Sequence, residues 1–254
     1  MLLAVDVGNT YITVGGLDAD RICFKAYLET RVQKTADEYA VDFHNLLTLN
    51  GLGGTVDGAI ISSVVPQLTG AMRKAILKLT GLRALVVGPG VKTGLNITID
   101  NPSQLGSDLA VDAVAAVAEY EKPLIVVDMG TATVFSVVDG AGKFRGGMIA
   151  PGVRVSLEAL REQTSQLPGI TIQPPKNVIS TNTVDCMKSG VVFGTASMIE
   201  GLCQRVEEEL GETATVIATG EFAAAVTSHC RRKVIVDTDL VLKGLRLIYQ
   251  KNQR

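Results

Sequence analysis

The stretch Leu3–Val14 reads LAVDVGNTYITV, and the stretch Ile125–Val138 reads IVVDMGTATVFSVV. In each, an aspartate, a glycine and small polar residues interrupt apolar runs that are typical of buried β-strands. Burying a charge within such a run is unfavourable unless the charge has a partner. We therefore predict two β-hairpins whose tips carry Asp6 and Asp128, and these aspartates are the first candidate functional residues.

The two stretches are copies of one pattern. Aligning Asp6 with Asp128 superimposes them at an offset of 122 residues, close to half of the 254-residue chain. Each copy continues through a second β-rich run into a turn, at Leu17–Asp20 and at Asp139–Gly142. The strands that follow these turns are predicted at Ile22–Leu28 and Lys143–Ile149. Self-similarity at this offset indicates a duplicated domain rather than a short-period repeat.

After each hairpin, helical and strand patterns alternate, which is typical of an α/β architecture. A helix over Thr35–Leu49 begins with a capping box, in which Thr35 is followed three residues later by Glu38. The other predicted helices are Gln67–Leu79, Ser107–Tyr120, Ser189–Glu209, Phe222–Cys230 and Asp239–Gln250. The other predicted strands are Val56–Ser62, Ala84–Val87 and Thr215–Ala218. The segment Gly88–Gly106 is predicted to link the halves, which gives domains at 1–106 and 107–254.

Composition excludes several classes of function. The formal net charge is -2, the chain has no Trp and few aromatic residues, and a nucleic-acid-binding role is therefore disfavoured. No apolar run approaches the roughly 20 residues that a membrane span needs, and the start MLLAVDV is unlike a signal peptide. The four cysteines are widely separated, so we expect reduced thiols in a cytoplasmic protein without a membrane partner.

The first hairpin tip has the chemistry of a phosphate site. Gly8 permits close approach of a ligand to the backbone, and Asn9, Thr10 and Thr13 add hydrogen-bond donors. The carboxylate of Asp6 would repel phosphate unless a divalent cation lay between them, and Mg²⁺ commonly bridges carboxylates and phosphates. The hypothesis is a Mg²⁺–nucleotide site, and the alternative is a tight hairpin in which Asp6 only caps the turn.

The duplicated pattern resembles the superfamily of actin, hexokinase and Hsp70, in which two related domains close on ATP. The motifs that narrow the resemblance are DVGNT at 6–10, NPSQLGSD at 101–108, DMGTAT at 128–133, GGMIAPG at 146–152, QLP at 166–168 and NT…KSG…G at 182–194. Their order is similar to that in type III pantothenate kinases, over nearly the whole chain. This resemblance implies duplicated ribonuclease-H-like (actin-like) α/β domains, each with a mixed sheet and flanking helices.

The resemblance also implies an activity and its cofactors. The family phosphorylates pantothenate with ATP to 4'-phosphopantothenate, the first step of coenzyme A biosynthesis. It uses Mg²⁺ and a monovalent cation, K⁺ or NH₄⁺, and it is a homodimer with the pantoate pocket near the dimer interface. The nucleotide-binding residues carried over are Asp6, Val7, Gly8, Asn9, Thr10, Tyr11, Ile12, Thr13 and Thr131. Asp6 would hold Mg²⁺ through the phosphates, and Asp128 would bind the monovalent cation.

On the acceptor side, Asp108 matches the general base of the family. Ser107 is predicted to cap the helix, which places Asp108 in the first turn, where the helix dipole favours its anionic form. The substrate-binding positions carried over are Asp100, Gly106, Ser107, Asp108, Leu109 and Thr183. Alternatives remain: Asp108 is an ordinary first-turn carboxylate, Thr183 is a loop residue or a helix cap, and GGMIAPG is purely structural.

The chain departs from the family pattern at five positions. Leu109 stands where the family has an arginine that would pair with polar groups of pantothenate, and leucine lacks that charge. The other departures are Asp100 for tyrosine, Ser136 for aspartate, Ser180 for glycine, and Glu221 for glycine in a turn near the adenine. If residue 221 needed a positive φ, Glu221 would be strained or the loop would differ.

Three interpretations follow from these departures. In the first, the chain is an active pantothenate kinase in which another group, such as Arg154, replaces the missing arginine. In the second, it is a kinase of the same mechanism for a different small alcohol. In the third, it is a non-catalytic paralogue with a regulatory or partner-binding role.

Overall fold

The computed structural model describes residues 1–19, 21–54 and 56–253, so Asp20 of the first predicted turn lies outside the described residues. The strands are β1 Leu2–Val7, β2 Tyr11–Leu17, β3 Ile22–Glu29, β4 Gly58–Ser63, β5 Leu85–Val86, β6 Asn96–Ile97, β7 Leu124–Met129, β8 Ala132–Val138, β9 Lys143–Pro151, β10 Thr215–Thr219 and β11 Ile235–Val236. The helices are α1 Ala36–Leu49, α2 Pro66–Thr80, α3 Ser107–Glu119, α4 Val153–Gln163, α5 Thr183–Leu210, α6 Ala223–Thr227 and α7 Leu240–Asn252.

The two sheets share one topology. The first has the order β3-β2-β1-β4-β5, and the second has the order β11-β10-β7-β8-β9-β6. In each, three consecutive strands form an antiparallel meander and two later strands add in parallel. The second sheet has one further edge strand, β6, parallel to β9. This shared order confirms the duplication predicted from the two aspartate hairpins.

The hairpins differ in length by one residue. Asp6 pairs with Thr13 across the first hairpin, seven positions on, whereas Asp128 pairs with Val134 across the second, six positions on. The offset between the copies is therefore 122 residues before the tip and 121 residues after it. The superposition of the two stretches is correct for β1 and β7, and it is one residue out of register for β2 and β8.

The chain divides into two units by its internal contacts. The first comprises Met1–Leu95, Asn101–Ala115 and Leu240–Arg254, and the second comprises Asn96–Asp100 and Ala116–Asp239. This division differs from the predicted boundary after residue 106. Most of the difference arises because α3 and α7 both pack on the first sheet, where Val111, Leu242 and Ile248 join Leu2 in one buried cluster. Burying a side chain as large as Leu242 or Ile248 contributes about 1.5–3 kcal/mol.

The first sheet has two apolar faces. Leu3, Val5 and Val7 of β1 pack with α1 and α2, including the fully buried Tyr39 and Phe43. Ala4 and Ile60 point to the opposite face, where α3 and α7 lie. Since side chains alternate along a strand, Asp6 belongs to the same face as Ala4. The candidate carboxylate therefore lies on the side of the sheet that α3 covers.

Two predicted helices differ from those observed, and one helix was not predicted. Helix α5 begins at Thr183, six residues before the predicted Ser189, because the Asn182 side chain caps it by accepting from the Asp185 amide at 2.9 Å. Helix α6 is only five residues long, shorter than predicted. Helix α4 follows the predicted strand GGMIAPG directly, with Gly152 at its N-cap.

Among the described residues, no helix combines the length and the apolar character needed to cross a bilayer.

Candidate functional site

The first candidate carboxylate lies at the end of β1. Asp6 is directly paired with Thr13 on β2 and with Ser62 on β4. Directly paired residues of neighbouring strands place their side chains on the same face of the sheet. A half-buried carboxylate and two hydroxyl-bearing side chains therefore share one face, at the end where the parallel strands β1 and β4 both finish.

Thr30, which the sequence analysis did not single out, fixes the hairpin tip through two hydrogen bonds. The Thr30 hydroxyl donates to the Gly8 carbonyl oxygen at 2.7 Å, and the Thr30 amide donates to the Thr10 carbonyl oxygen at 3.0 Å. The Gly8 amide donates to the Tyr11 carbonyl oxygen at 3.0 Å, which closes the turn. A Cβ on Gly8 would lie 3.0 Å from that same oxygen, so the turn suits glycine. These contacts set the path of the backbone at the predicted phosphate loop.

We expect Thr30→Val to weaken the binding of Mg²⁺–ATP by about three- to tenfold. The substitution keeps the β-branched shape but removes one short hydrogen bond, and such a bond contributes about 0.5–1.5 kcal/mol. Calorimetric titration with nucleotide measures the effect. Thr30→Ser keeps the hydroxyl and is the matched control, which should bind as the wild type does. Equal affinity for the valine variant would show that Thr30 does not hold the tip in its binding geometry.

The start of α3 is anchored beside Asp6. The Ser107 hydroxyl oxygen lies 2.9 Å from the Ser62 hydroxyl and accepts from the Ser63 amide at 3.0 Å. The prediction that Ser107 caps α3 is therefore wrong: it is the first helical residue, and its hydroxyl binds β4 instead of the helix. Because Ser62 is the neighbour of Asp6 in the sheet, this link brings the helical turn that carries Asp108 to the same polar region.

Asp108 lies in the first turn of α3, as predicted. Its Oδ1 accepts from the Leu109 amide at 2.8 Å. Burial raises the pKa of the Asp108 carboxyl, and the hydrogen bonds from the Leu109 and Asp108 amides only partly oppose that rise. A Cβ on Gly106 would contact Asp108 Oδ1, so a larger residue at 106 would make the Asp108 side chain shift. The result is a half-buried carboxylate with a raised proton affinity, a property suited to a general base.

The second candidate carboxylate ends β7. The two carboxylate oxygens of Asp128 lie 3.8 and 3.9 Å from the position of a Cβ on Gly130, so they face the turn rather than the sheet interior. The Gly130 amide donates to the Ala132 carbonyl oxygen at 3.1 Å and closes this shorter tip. Thr131 completes the loop. A carboxylate that faces such a turn offers the oxygen ligands that a monovalent cation would need.

The loop of residues 128–131 is packed between two other backbone segments. A Cβ on Gly152 would lie 2.6 Å from the Gly130 carbonyl oxygen and would also contact the Thr131 carbonyl oxygen. A Cβ on Gly220 would lie 2.7 Å from the Met129 carbonyl carbon and oxygen. Only glycine permits this closeness at both positions. The Asp128 loop is thus held from one side by the start of α4 and from the other by the turn after β10.

Glu221 does not have the strained conformation considered from the sequence. In this turn the positive φ, +94°, belongs to Gly220, and no described residue other than glycine has a positive φ. The Glu221 carboxylate accepts from Arg154 Nη2 at 2.7 and 2.9 Å. Arg154, the residue considered as a replacement for the missing family arginine, therefore already has an anionic partner.

The remaining predicted positions divide between the units. Gly106, Asp108 and Leu109 belong to the first unit, whereas Asp100 and Thr183 belong to the second. Asp100 is exposed, and Thr183 is an exposed first residue of α5 that lines a largely apolar cavity of about 520 Å³.

The other departures from the family pattern are a buried Ser136 on β8 and Ser180, whose hydroxyl donates to the Asn177 carbonyl oxygen at 3.3 Å.

The similarities of this chain to known sequences and to known structures agree with each other. A family profile described as "Type III pantothenate kinase" matches residues 2–205. A protein of that name from an Exiguobacterium species is 41% identical over 255 residues, which cover 100% of both chains. Component A of the (R)-2-hydroxyglutaryl-CoA dehydratase of Acidaminococcus fermentans superposes with a TM-score of 0.59 at 14% identity, over 100% of this chain and 99% of that one. The ROK hexokinase of Thermus thermophilus gives 0.51 at 14% identity, over 99% of each chain. These two structures confirm the predicted actin-like fold.

Proposed function

Since the chain belongs to the type III pantothenate kinase family, we propose that it transfers the γ-phosphoryl group of ATP to the pantoate-end hydroxyl of pantothenate. The product is 4'-phosphopantothenate, the first intermediate of coenzyme A biosynthesis. The observation that carries the proposal is the hydrogen-bonded link from Ser62, the sheet neighbour of Asp6, through Ser107 to the turn that bears Asp108. It joins a phosphate-binding hairpin to a candidate base within one unit.

Asp108 is proposed as the general base. The acceptor hydroxyl transfers its proton to the Asp108 carboxylate as its oxygen attacks the γ-phosphorus, and the bond from that phosphorus to the β-phosphate oxygen breaks to release ADP. The raised pKa of Asp108 makes it a better proton acceptor than an ordinary aspartate. The hydrogen bond from the Leu109 amide directs the carboxylate, and it is made by the backbone, so it does not need the family arginine side chain.

Asp6 is proposed to hold Mg²⁺ through the nucleotide phosphates. When bound, this ion would neutralise phosphate charge. Among the described residues, no group of three or more His, Cys, Asp or Glu side chains is arranged to hold a metal ion. A site with a single carboxylate fits Mg²⁺ that takes its other ligands from phosphates and water. The partly exposed Thr13 side chain on the same face can hydrogen-bond those ligands, whereas Ser62 is buried and its hydroxyl pairs with Ser107.

In the second unit, Asp128 is proposed to bind a monovalent cation, K⁺ or NH₄⁺, and Thr131 to contact the nucleotide. The carboxylate of Asp128 faces the Gly130 turn, which supports a role toward a ligand rather than a purely structural one. We also propose that the chain acts in the cytoplasm as a homodimer, as the family resemblance implies. Sedimentation velocity of the purified chain tests the dimer, and a monomer at assay concentrations would contradict it.

A coupled assay of ADP release tests the function directly. Purified protein is supplied with Mg²⁺–ATP, K⁺ and pantothenate, and pantothenate is omitted in the control. We expect turnover that depends on pantothenate, because the chain belongs to the family and keeps both the proposed base, Asp108, and the proposed phosphate hairpin. ATP binding without such turnover would contradict the proposal and would favour a different alcohol or a non-catalytic role.

A further inference from the structure

An ion pair joins the two segments that enclose the Asp128 loop. Arg154, in the first turn of α4, directs one guanidinium nitrogen at both carboxylate oxygens of Glu221, at 2.7 and 2.9 Å. The guanidinium carbon also lies 5.7 Å from the centre of the Phe222 ring, in range of a cation–π contact. The arginine is therefore oriented by two consecutive residues of the turn that follows β10.

The residues that form this pair are next to the close glycine contacts. Arg154 lies two residues after Gly152, and Gly152 packs on the carbonyl groups of Gly130 and Thr131. Glu221 directly follows Gly220, which packs on the Met129 backbone. The ion pair thus connects the start of α4 to the turn after β10, and the Asp128 loop lies between these two segments.

We propose that Arg154 and Glu221 are positioning residues that act as a clamp on the Asp128–Thr131 loop and so maintain its nucleotide- and cation-binding geometry. This inference rests on the proposed function, because it assumes that the loop binds nucleotide and a monovalent cation. The clamp acts through backbone position: loss of the pair releases the Gly220 turn from α4, and the loop between them gains freedom. Arg154 then contributes to binding without contacting the nucleotide.

A direct role of Arg154 as an anion ligand predicts the opposite pattern of mutant effects. If Arg154 bound phosphate, Glu221→Gln would remove a competing carboxylate and strengthen nucleotide binding, whereas Arg154→Gln would weaken it. If the pair is a clamp, both substitutions break the same contact, so both weaken binding by a similar factor. The signs of the two effects therefore separate the two roles.

The experiment is calorimetric titration with Mg²⁺–ADP at several K⁺ concentrations. Arg154→Gln and Glu221→Gln are each expected to lower ADP affinity by about fivefold and to raise the K⁺ concentration needed for half-maximal effect, since exposed ion pairs have modest strength. The charge-swapped double variant, Arg154→Glu with Glu221→Arg, should recover most of the affinity. The clamp would be overturned if the two single variants changed ADP affinity in opposite directions or not at all. It would also be overturned if the double variant bound ADP more weakly than both single variants.

The control removes another ion pair of the second unit, in which only the arginine is largely exposed. Arg145, on β9, has its Nη1 3.3 Å from Oδ2 of Asp139, which lies in the turn between β8 and β9 at the far end of the hairpin from Thr131. Arg145→Gln should therefore leave ADP affinity and K⁺ dependence unchanged. The Arg154 and Glu221 side chains are 42% and 44% exposed, so their variants are expected to fold, which a thermal melt verifies.

Failure of the clamp and failure of the proposed function can be distinguished, because the titration needs no acceptor. If the wild type binds ADP without pantothenate-dependent turnover, while both single variants lose ADP affinity by a similar factor, the clamp is supported and the proposed function is contradicted. If the wild type phosphorylates pantothenate but the single variants do not show this matched loss, the function is supported and the clamp is contradicted. A chain that binds no ADP overturns both.

Discussion

Asp108→Asn should lower kcat for pantothenate phosphorylation by about 10²–10⁴-fold while Mg²⁺–ATP binds as before. The amide has nearly the shape of the carboxylate, and its oxygen can still accept from the Leu109 amide, but it cannot take the proton of the acceptor hydroxyl. Steady-state kinetics and calorimetry on one protein preparation measure the two quantities.

A matched control for this variant is Asp37→Asn, at an exposed first-turn aspartate of α1 that is paired with Lys78. Its kcat should equal that of the wild type. If Asp108→Asn retained normal turnover, Asp108 would be an ordinary first-turn carboxylate, and the general base would have to be another group.

The raised pKa of Asp108 adds a pH dependence with a defined sign. A carboxyl whose pKa is higher in the folded chain than its ordinary value of 3.8 binds its proton more tightly when folded. Its contribution to stability is therefore complete below pH 3.8 and is lost as the pH rises through the raised pKa. At neutral pH the ionised, partly desolvated carboxylate opposes folding.

Two results follow from this shift. The acid limb of kcat/KM should have its midpoint above 3.8, because the base must be ionised in the free enzyme. Asp108→Asn should raise the melting temperature at pH 7, and the gain should shrink as the pH falls toward 3.8. A variant less stable than the wild type at pH 7 would contradict the burial of this carboxylate.

Asp6→Asn should lower kcat/KM for Mg²⁺–ATP by about 10²–10³-fold, an effect comparable to the loss of one directed charge-stabilising group in other enzymes. The substitution preserves size at the end of β1 but removes the charge that is proposed to hold Mg²⁺ at the phosphates. High Mg²⁺ concentrations should restore part of the loss, so kcat/KM is measured across a Mg²⁺ titration.

The control for Asp6 lies at the opposite end of the same sheet. Asp57, directly before β4, is exposed and accepts from the Met1 amino group at 2.8 Å, and Asp57→Asn should leave the Mg²⁺ dependence unchanged. A wild-type Mg²⁺ profile in Asp6→Asn would favour the alternative that Asp6 only caps a tight hairpin.

Local sequence patterns were sufficient for the parts of this fold that depend on neighbouring residues. The two aspartate hairpins follow from alternation of apolar residues and from turn chemistry, both of which act within a few residues. The capping box of α1 is present, with Thr35 and Glu38 bonded to each other's backbone amides. The same local rules placed Asp108 in the first turn of α3. The first residues of α5 were not predicted, although Asn182 is a typical N-cap residue and caps the helix.

The arrangement of the site depended on contacts that no local pattern encodes. Thr30 reaches Gly8 across 22 residues, Ser107 reaches Ser63 across 44, and Arg154 reaches Glu221 across 67. Each of these contacts exists only after the strands have paired and the helices have packed on them. The duplicated α/β architecture, the family and the candidate carboxylates could be predicted without coordinates, because hydrophobic periodicity, turn residues and the order of the motifs can be read directly along the chain. The distant side chains that hold those carboxylates and loops in place could not be predicted, because sheet order and helix packing bring these partners together only in the folded chain.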